Sequence, residues 1–100
     1  KGVNIFPIQI EKILLQFKEL STDYLITLET LEHNDAMTVE VEISSLFTDD
    51  YARLEKLTKE ITRKLKDEIL VTPKVKLVAN GSLPKSEGKA VRVKDLRKTY

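Results

Sequence analysis

The residues best suited to chemistry lie near the C-terminus, in Gly81-Ser82-Leu83-Pro84-Lys85-Ser86-Glu87-Gly88-Lys89-Ala90-Val91-Arg92-Val93. Gly81, Ser82, Pro84, Ser86 and Gly88 leave too few apolar side chains for a packed element, which predicts a loop carried on a more rigid scaffold. Lys89 follows Gly88. A long, flexible ammonium therefore sits beside a backbone that can come close to a ligand, a combination suited to phosphate or carboxylate. The general phosphate-binding P-loop does not fit, since it needs four residues between its glycines and Ser or Thr after its Lys. Here six residues separate Gly81 from Gly88, and Ala90 follows Lys89. On composition alone, a solvated surface lysine is the commoner case.

The elements that must position this stretch can be read from periodicity. Pro7 suits a first helical position, and Ile10, Ile13, Leu14 and Phe17 follow at helical spacing, predicting a first helix whose apolar stripe faces the core. Tyr24 to Leu31 and Ala36 to Ser44 read as strands. The second alternates Met37, Val39, Val41 and Ile43 with Thr38, Glu40 and Glu42, which predicts one buried and one solvated face. Glu32-His33-Asn34-Asp35 is rich in turn formers and predicts an antiparallel hairpin with His33 at its tip, a solvated residue with no triad partner nearby in sequence. Thr48-Asp49-Asp50 offers a cap for a second helix, in which Tyr51, Leu54, Leu57, Ile61, Leu65 and Ile69 keep helical spacing for about five turns. Its other face places Glu55 with Lys59 and Glu60 with Lys64 at four-residue spacing. Pro73 stops the helix. Val75, Leu77 and Ala79 then alternate with Lys74, Lys76 and Val78 as a third strand, and Val91, Val93 and Leu96 are available to anchor a basic tail. The expected fold is α+β, a small antiparallel or mixed sheet of about three main strands packed with two helices in the order (β)αββαβ.

Composition narrows the functional classes. The 100 residues, 41% hydrophobic and 33% charged, suit one small domain spanning residues 1–100. Seventeen Lys and Arg against sixteen Asp and Glu leave a net charge of +1, which argues against a nucleic-acid or membrane-surface binder driven by bulk charge. There is no cysteine and one histidine, so disulfides, thiolate metal sites and a histidine metal cluster are excluded. No apolar run approaches the ~20 residues of a membrane span and no signal peptide opens the chain, so a cytoplasmic location is expected. The chain begins at Lys1 with a motif at once, and the expectation is a piece of a longer protein.

Leu83 to Val93, together with Lys1-Gly2-Val3-Asn4-Ile5-Phe6-Pro7 at the other end, resembles the C-terminal domain of the phenylacetate-coenzyme A ligases, a family of adenylate-forming enzymes. The similarity runs over nearly all of the chain, in the family's order. It implies a lid attached to a larger N-terminal AMP-binding domain that binds ATP, Mg²⁺ and the carboxylic acid, with coenzyme A as second substrate. The isolated domain is then expected to be inactive. The resemblance also implies site residues: Lys89 as the adenylation lysine, with Gly88 in the same loop, and Gly2, Val3 and Asn4 lining the channel for the pantetheine arm. A plain turn glycine at Gly2 would look the same in sequence. Lys85 and Arg92 flank the loop as candidates for steering phosphates, not as catalysts. A ferredoxin-like regulatory or ligand-binding module is the alternative, since it shares the element order without needing both terminal motifs.

Overall fold

The structure is a computed structural model that describes residues 7–32, 34–44, 51–69, 72–83, 85–86, 89–90 and 93–97. Helix α1 spans Pro7–Leu14 and buries Ile10, Ile13 and Leu14. It closes through tighter bonds from the Gln16 and Phe17 amides to the Ile13 and Leu14 carbonyls (both 3.1 Å), which satisfy late carbonyls and carry Phe17 into the core just past the helix. The Tyr24 hydroxyl donates to Glu11 Oε1 at 2.8 Å, tying α1 to the first strand.

Strands β1 (Leu20–Leu31) and β2 (Asn34–Ile43) form a long antiparallel hairpin with a register shift between Leu20 and Tyr24. The Leu31–Asn34 pairing leaves a two-residue connection, and Glu32 takes φ 50°, the left-handed setting that tight hairpin turns require. The expectation for His33 lies outside the described residues.

Helix α2 (Tyr51–Glu68) turns Leu57, Ile61 and Leu65 inward, with Ile69 buried just beyond its end. Thr58 and Thr62 donate their hydroxyls to the Leu54 and Thr58 carbonyls (2.9 and 2.7 Å), so neither half-buried hydroxyl lacks a partner. Lys64, opposite Glu60 by spacing, reaches instead to Gln16 Oε1 at 3.1 Å and lies 5.4 Å from the Phe17 ring centroid, bridging the helices. The Thr48-Asp49-Asp50 cap lies outside the described residues.

After buried Pro73, β3 (Lys74–Val78) pairs parallel with β2, as a crossover through a helix allows. Three further short strands follow: β4 (Lys85–Ser86), β5 (Lys89–Ala90) and β6 (Val93–Asp95). β6 runs parallel beside β1, which completes a mixed sheet in the order β3-β2-β1-β6, while β4 and β5 pair only with each other. The architecture is the expected α+β one with more strands than the three read from periodicity. One face of the sheet, carrying Tyr24, Ile26, Leu28, Met37, Val39, Val41 and Val75, shares a single apolar cluster with α1 and α2. No helix among the described residues is long and apolar enough to cross a membrane.

Details of burial differ from the sequence reading. Tyr51, placed by spacing with the apolar residues of the second helix, is 81% exposed at its first turn. Glu42, placed by alternation on the solvated face, is 1% exposed. Val93 and Leu96, expected to anchor the tail, are 37% and 50% exposed. The tail is held by polar contacts instead: the Leu96 amide bonds the Leu28 carbonyl at 2.7 Å, and Arg97 bridges Asp95 and Asp35.

Candidate functional site

The segment leaving β3 is fixed before it reaches the residues of interest. Ala79 to Ser82 form a turn closed by the Ser82 amide on the Ala79 carbonyl at 3.1 Å, and the Ser82 hydroxyl donates to the same oxygen at 2.6 Å. Gly81, third in the turn, has φ +84°, a setting that L side chains rarely adopt. Asn80 Nδ2 donates to the Ile43 carbonyl at 3.2 Å, so the turn is pinned to the end of β2.

The strongest attachment comes from Glu42. Its carboxylate accepts the Gly81 N–H on Oε1 (2.7 Å) and the Leu83 N–H on Oε2 (3.0 Å). Leu83 is itself buried. Leaving a buried carboxylate unpaired would cost several kcal/mol, and charge-assisted bonds to backbone amides are the usual compensation. Glu42 faces away from the helices because its neighbours Val41 and Ile43 alternate with it, so the turn folds back onto the face of the sheet that carries Glu40 and buried Leu25.

Beyond Leu83, β4 and β5 form a small antiparallel hairpin in which Lys85 opposes Ala90 and Ser86 opposes Lys89. Lys89 is thus the first residue of β5, directly after a two-residue connection at 87–88. The chain then re-enters the main sheet at Val93, opposite Ile26. The return is clamped by Arg97, whose two terminal nitrogens meet Asp35 Oδ2 and Asp95 Oδ2 at 2.9 Å each. The guanidinium's hydrogen bonds hold the Asp95 carboxyl below the usual carboxylate range, while Asp95 first and Asp35 second push Arg97 above its ordinary value. The Lys89 hairpin therefore springs from a scaffold anchored at both ends.

A separate groove of about 330 Å³ runs between α2 and β3, lined by Tyr51, Leu54, Thr58 and Leu77 among others. It opens on the helix side of the sheet, opposite the face that Glu42 holds.

The sequence profile of the AMP-binding enzyme C-terminal domain family matches residues 2–97. The chain belongs to that family. This AMP-binding enzyme C-terminal domain is 35% identical over 98 residues to the phenylacetate-coenzyme A ligase of Escherichia coli strain K12, a match covering 97% of the chain and 22% of the relative. Its fold matches the crystal structure of a domain of phenylacetate-coenzyme A ligase from Bacteroides vulgatus at a TM-score of 0.90 and 78% identity, covering all of this chain and 92% of that one. A 2-hydroxyisobutyryl-CoA ligase, solved with 2-HIB-AMP and CoA in its thioesterification state, matches at a TM-score of 0.82 and 31% identity over 97% of this chain and 20% of that one. That ligase has also been solved in a postadenylation state and in an open conformation. The chain spans about a fifth of the length of the two full-length ligases it matches.

Of the residues singled out from sequence, the structure places the backbone of Lys89 in β5 and that of Lys85 in β4. Gly2, Val3, Asn4, Gly88 and Arg92 lie outside the described residues. The contacts holding the hairpin, Glu42 on the Gly81 and Leu83 amides on one side and Arg97 on Asp35 on the other, were not visible to sequence reasoning, since each joins residues more than thirty positions apart.

Proposed function

We propose that this chain, residues 1–100, is the mobile C-terminal lid of an aryl-acid CoA ligase of the phenylacetate type, docking on a larger N-terminal AMP-binding domain of the same protein. The full-length enzyme would act in two steps. A carboxylate oxygen of the acid attacks the α-phosphorus of ATP, releasing pyrophosphate and leaving an acyl-adenylate. The coenzyme A thiolate sulfur then attacks the acyl carbon, and AMP departs. Support comes from the likeness to phenylacetate-coenzyme A ligases along the whole chain, and above all from the hairpin that begins its second strand with Lys89.

Lys89 is assigned to the first step. Its ammonium would meet the carboxylate and α-phosphate oxygens as negative charge gathers between them. Closure of a lid makes such a contact count, because the interaction of unit charges about 4 Å apart rises from ~1 kcal/mol in water to ~4 kcal/mol where water is partly excluded. A point charge on a flexible stem suits converging oxygens better than the planar fork of arginine. Gly2, Val3 and Asn4 are assigned to the second step, lining the path of the pantetheine arm. Among the described residues, no group of three or more His, Asp or Glu is arranged to hold a metal ion. The Mg²⁺ that accompanies ATP is assigned, with the nucleotide, to the larger domain.

Lys89→Ala in the full-length ligase tests the assignment. Loss of one preorganised positive donor should slow pyrophosphate release on the order of 10² to 10³-fold, about 3 to 4 kcal/mol. Thioester formation from preformed acyl-adenylate and coenzyme A should be retained. An equal fall in both half-reactions would make Lys89 structural.

A further inference from the structure

We propose that Glu42 is a positioning residue for adenylation, acting through the backbone of 81–83 to set the root of the Lys89 hairpin; this rests on the assignment of Lys89 given above. The placement of the carboxylate is the first argument. Glu42 lies next to the end of β2 and is 1% exposed, yet it does not join the apolar cluster between sheet and helices. Filling space at the end of a strand calls for no charge, and Val or Leu would be far cheaper to bury. Charge brings direction. Both oxygens are used, each on the amide of a different residue, and both amides belong to the one segment that leads into the hairpin.

The second argument is how little chain lies between clamp and lysine. One residue, Pro84, separates the clamped Leu83 from β4 in the chain. Ser86 in β4 then opposes Lys89 in β5, so the lysine's backbone is registered against a residue three positions from the clamped amide. On the far side the chain returns to the sheet at Val93, a three-residue edge strand with exposed side chains, which by itself is a weak anchor. Arg97 clamps that return four residues further on, and the Glu42 side is the root joined most directly to the strand that Lys89 pairs with. An ammonium that must meet developing charge within a few tenths of an ångström is sensitive to that root, because small misplacements from remote changes can slow catalysis by as much as 10²-fold.

Glu42→Gln keeps the volume and removes the symmetry of acceptance. One oxygen can still take one amide, while the side-chain NH₂ faces the other N–H, donor against donor. In the full-length ligase, pyrophosphate release from ATP and phenylacetate should fall about 10- to 100-fold, and thioester formation from preformed phenylacetyl-adenylate should stay within about 2-fold of the parent. Amide hydrogen exchange should quicken across 81–90 and not in α2. In a Lys89→Ala background, Glu42→Gln should slow adenylation no further, since a residue acting through another has nothing left to lose. Measurements are made where circular dichroism shows parent and variant equally folded. If Glu42→Gln does not fold, Glu42→Asp, which keeps the charge but is too short to span both amides, takes its place with the same expected pattern. A folded Glu42 variant that adenylates at the parent rate, slows both half-reactions alike, or adds its full effect to Lys89→Ala overturns the proposal while the Lys89 assignment stands. A Lys89→Ala enzyme that adenylates normally instead overturns that assignment, and the positioning role with it.

Discussion

Arg97 meets two carboxylates from different elements, Asp95 two residues before it and Asp35 at the start of β2, and so stitches the last described residues to the central hairpin. Because the guanidinium lowers the Asp95 pKa in the folded state, the charged carboxylate stabilises the fold at any pH above its unfolded value near 3.9. That contribution disappears as pH falls from about 4 through the lower, folded value. Asp95→Asn should therefore show a small loss in urea midpoint at pH 7, and the parent's advantage should shrink toward zero below about pH 4. A difference between parent and variant that stays constant across this range would mean that Asp95 acts through shape and not charge. The exposure of Asp95 keeps the effect small, as is usual for solvated ion pairs.

At the scale of elements, the long helix and the central hairpin carry the stability. Ile61 is fully buried at the middle of α2, among side chains from the helix and the sheet, and Ile61→Ala should cost about 2 to 5 kcal/mol by lost burial and an incompletely collapsed cavity. Chemical denaturation checks this, and a loss below about 1 kcal/mol would mean that α2 can slide to refill the space. These elements were legible in the sequence because they are long: about five turns of helical spacing and strict alternation in β2 give periodicity enough cycles to register. The hairpin β4–β5 was read as a loop because two-residue strands have no period, and Pro84 and Gly88 interrupt the little apolar patterning there is. Glu42 was read as solvated for a related reason. Alternation assigns a side chain to a face of the sheet, but it cannot tell whether a later turn will fold back across that face. The signal was non-local, in the amides of Gly81 and Leu83, and no side-chain pattern announces an amide.

At the scale of the whole molecule, the two ends of the chain are assigned to two different half-reactions, and the ligase related to it by fold has been solved in postadenylation, thioesterification and open states. A lid that presents Lys89 in one orientation and the Gly2 segment in another predicts opposite phenotypes for lesions at its two ends. Gly2→Leu in the full-length ligase would put an isobutyl group into the narrow path assigned to the pantetheine arm while leaving Lys89 untouched. Pyrophosphate release should persist, and thioester formation should fall. The fall should also appear when preformed acyl-adenylate is supplied, because the obstruction acts after the first chemical step. Backbone strain is the competing cause, since a side chain on a glycine that needs positive φ costs ~1 kcal/mol or more and would mimic a functional loss. Gly2→Ala separates the two: it imposes the same backbone penalty with little added bulk. If Ala matches Leu in slowing thioester formation, strain is responsible; if Ala resembles the parent and Leu does not, bulk in the channel is. A parallel loss of both half-reactions at equal foldedness, or no loss in either, would remove Gly2 from the second step and leave the role proposed for Lys89 to stand on its own test.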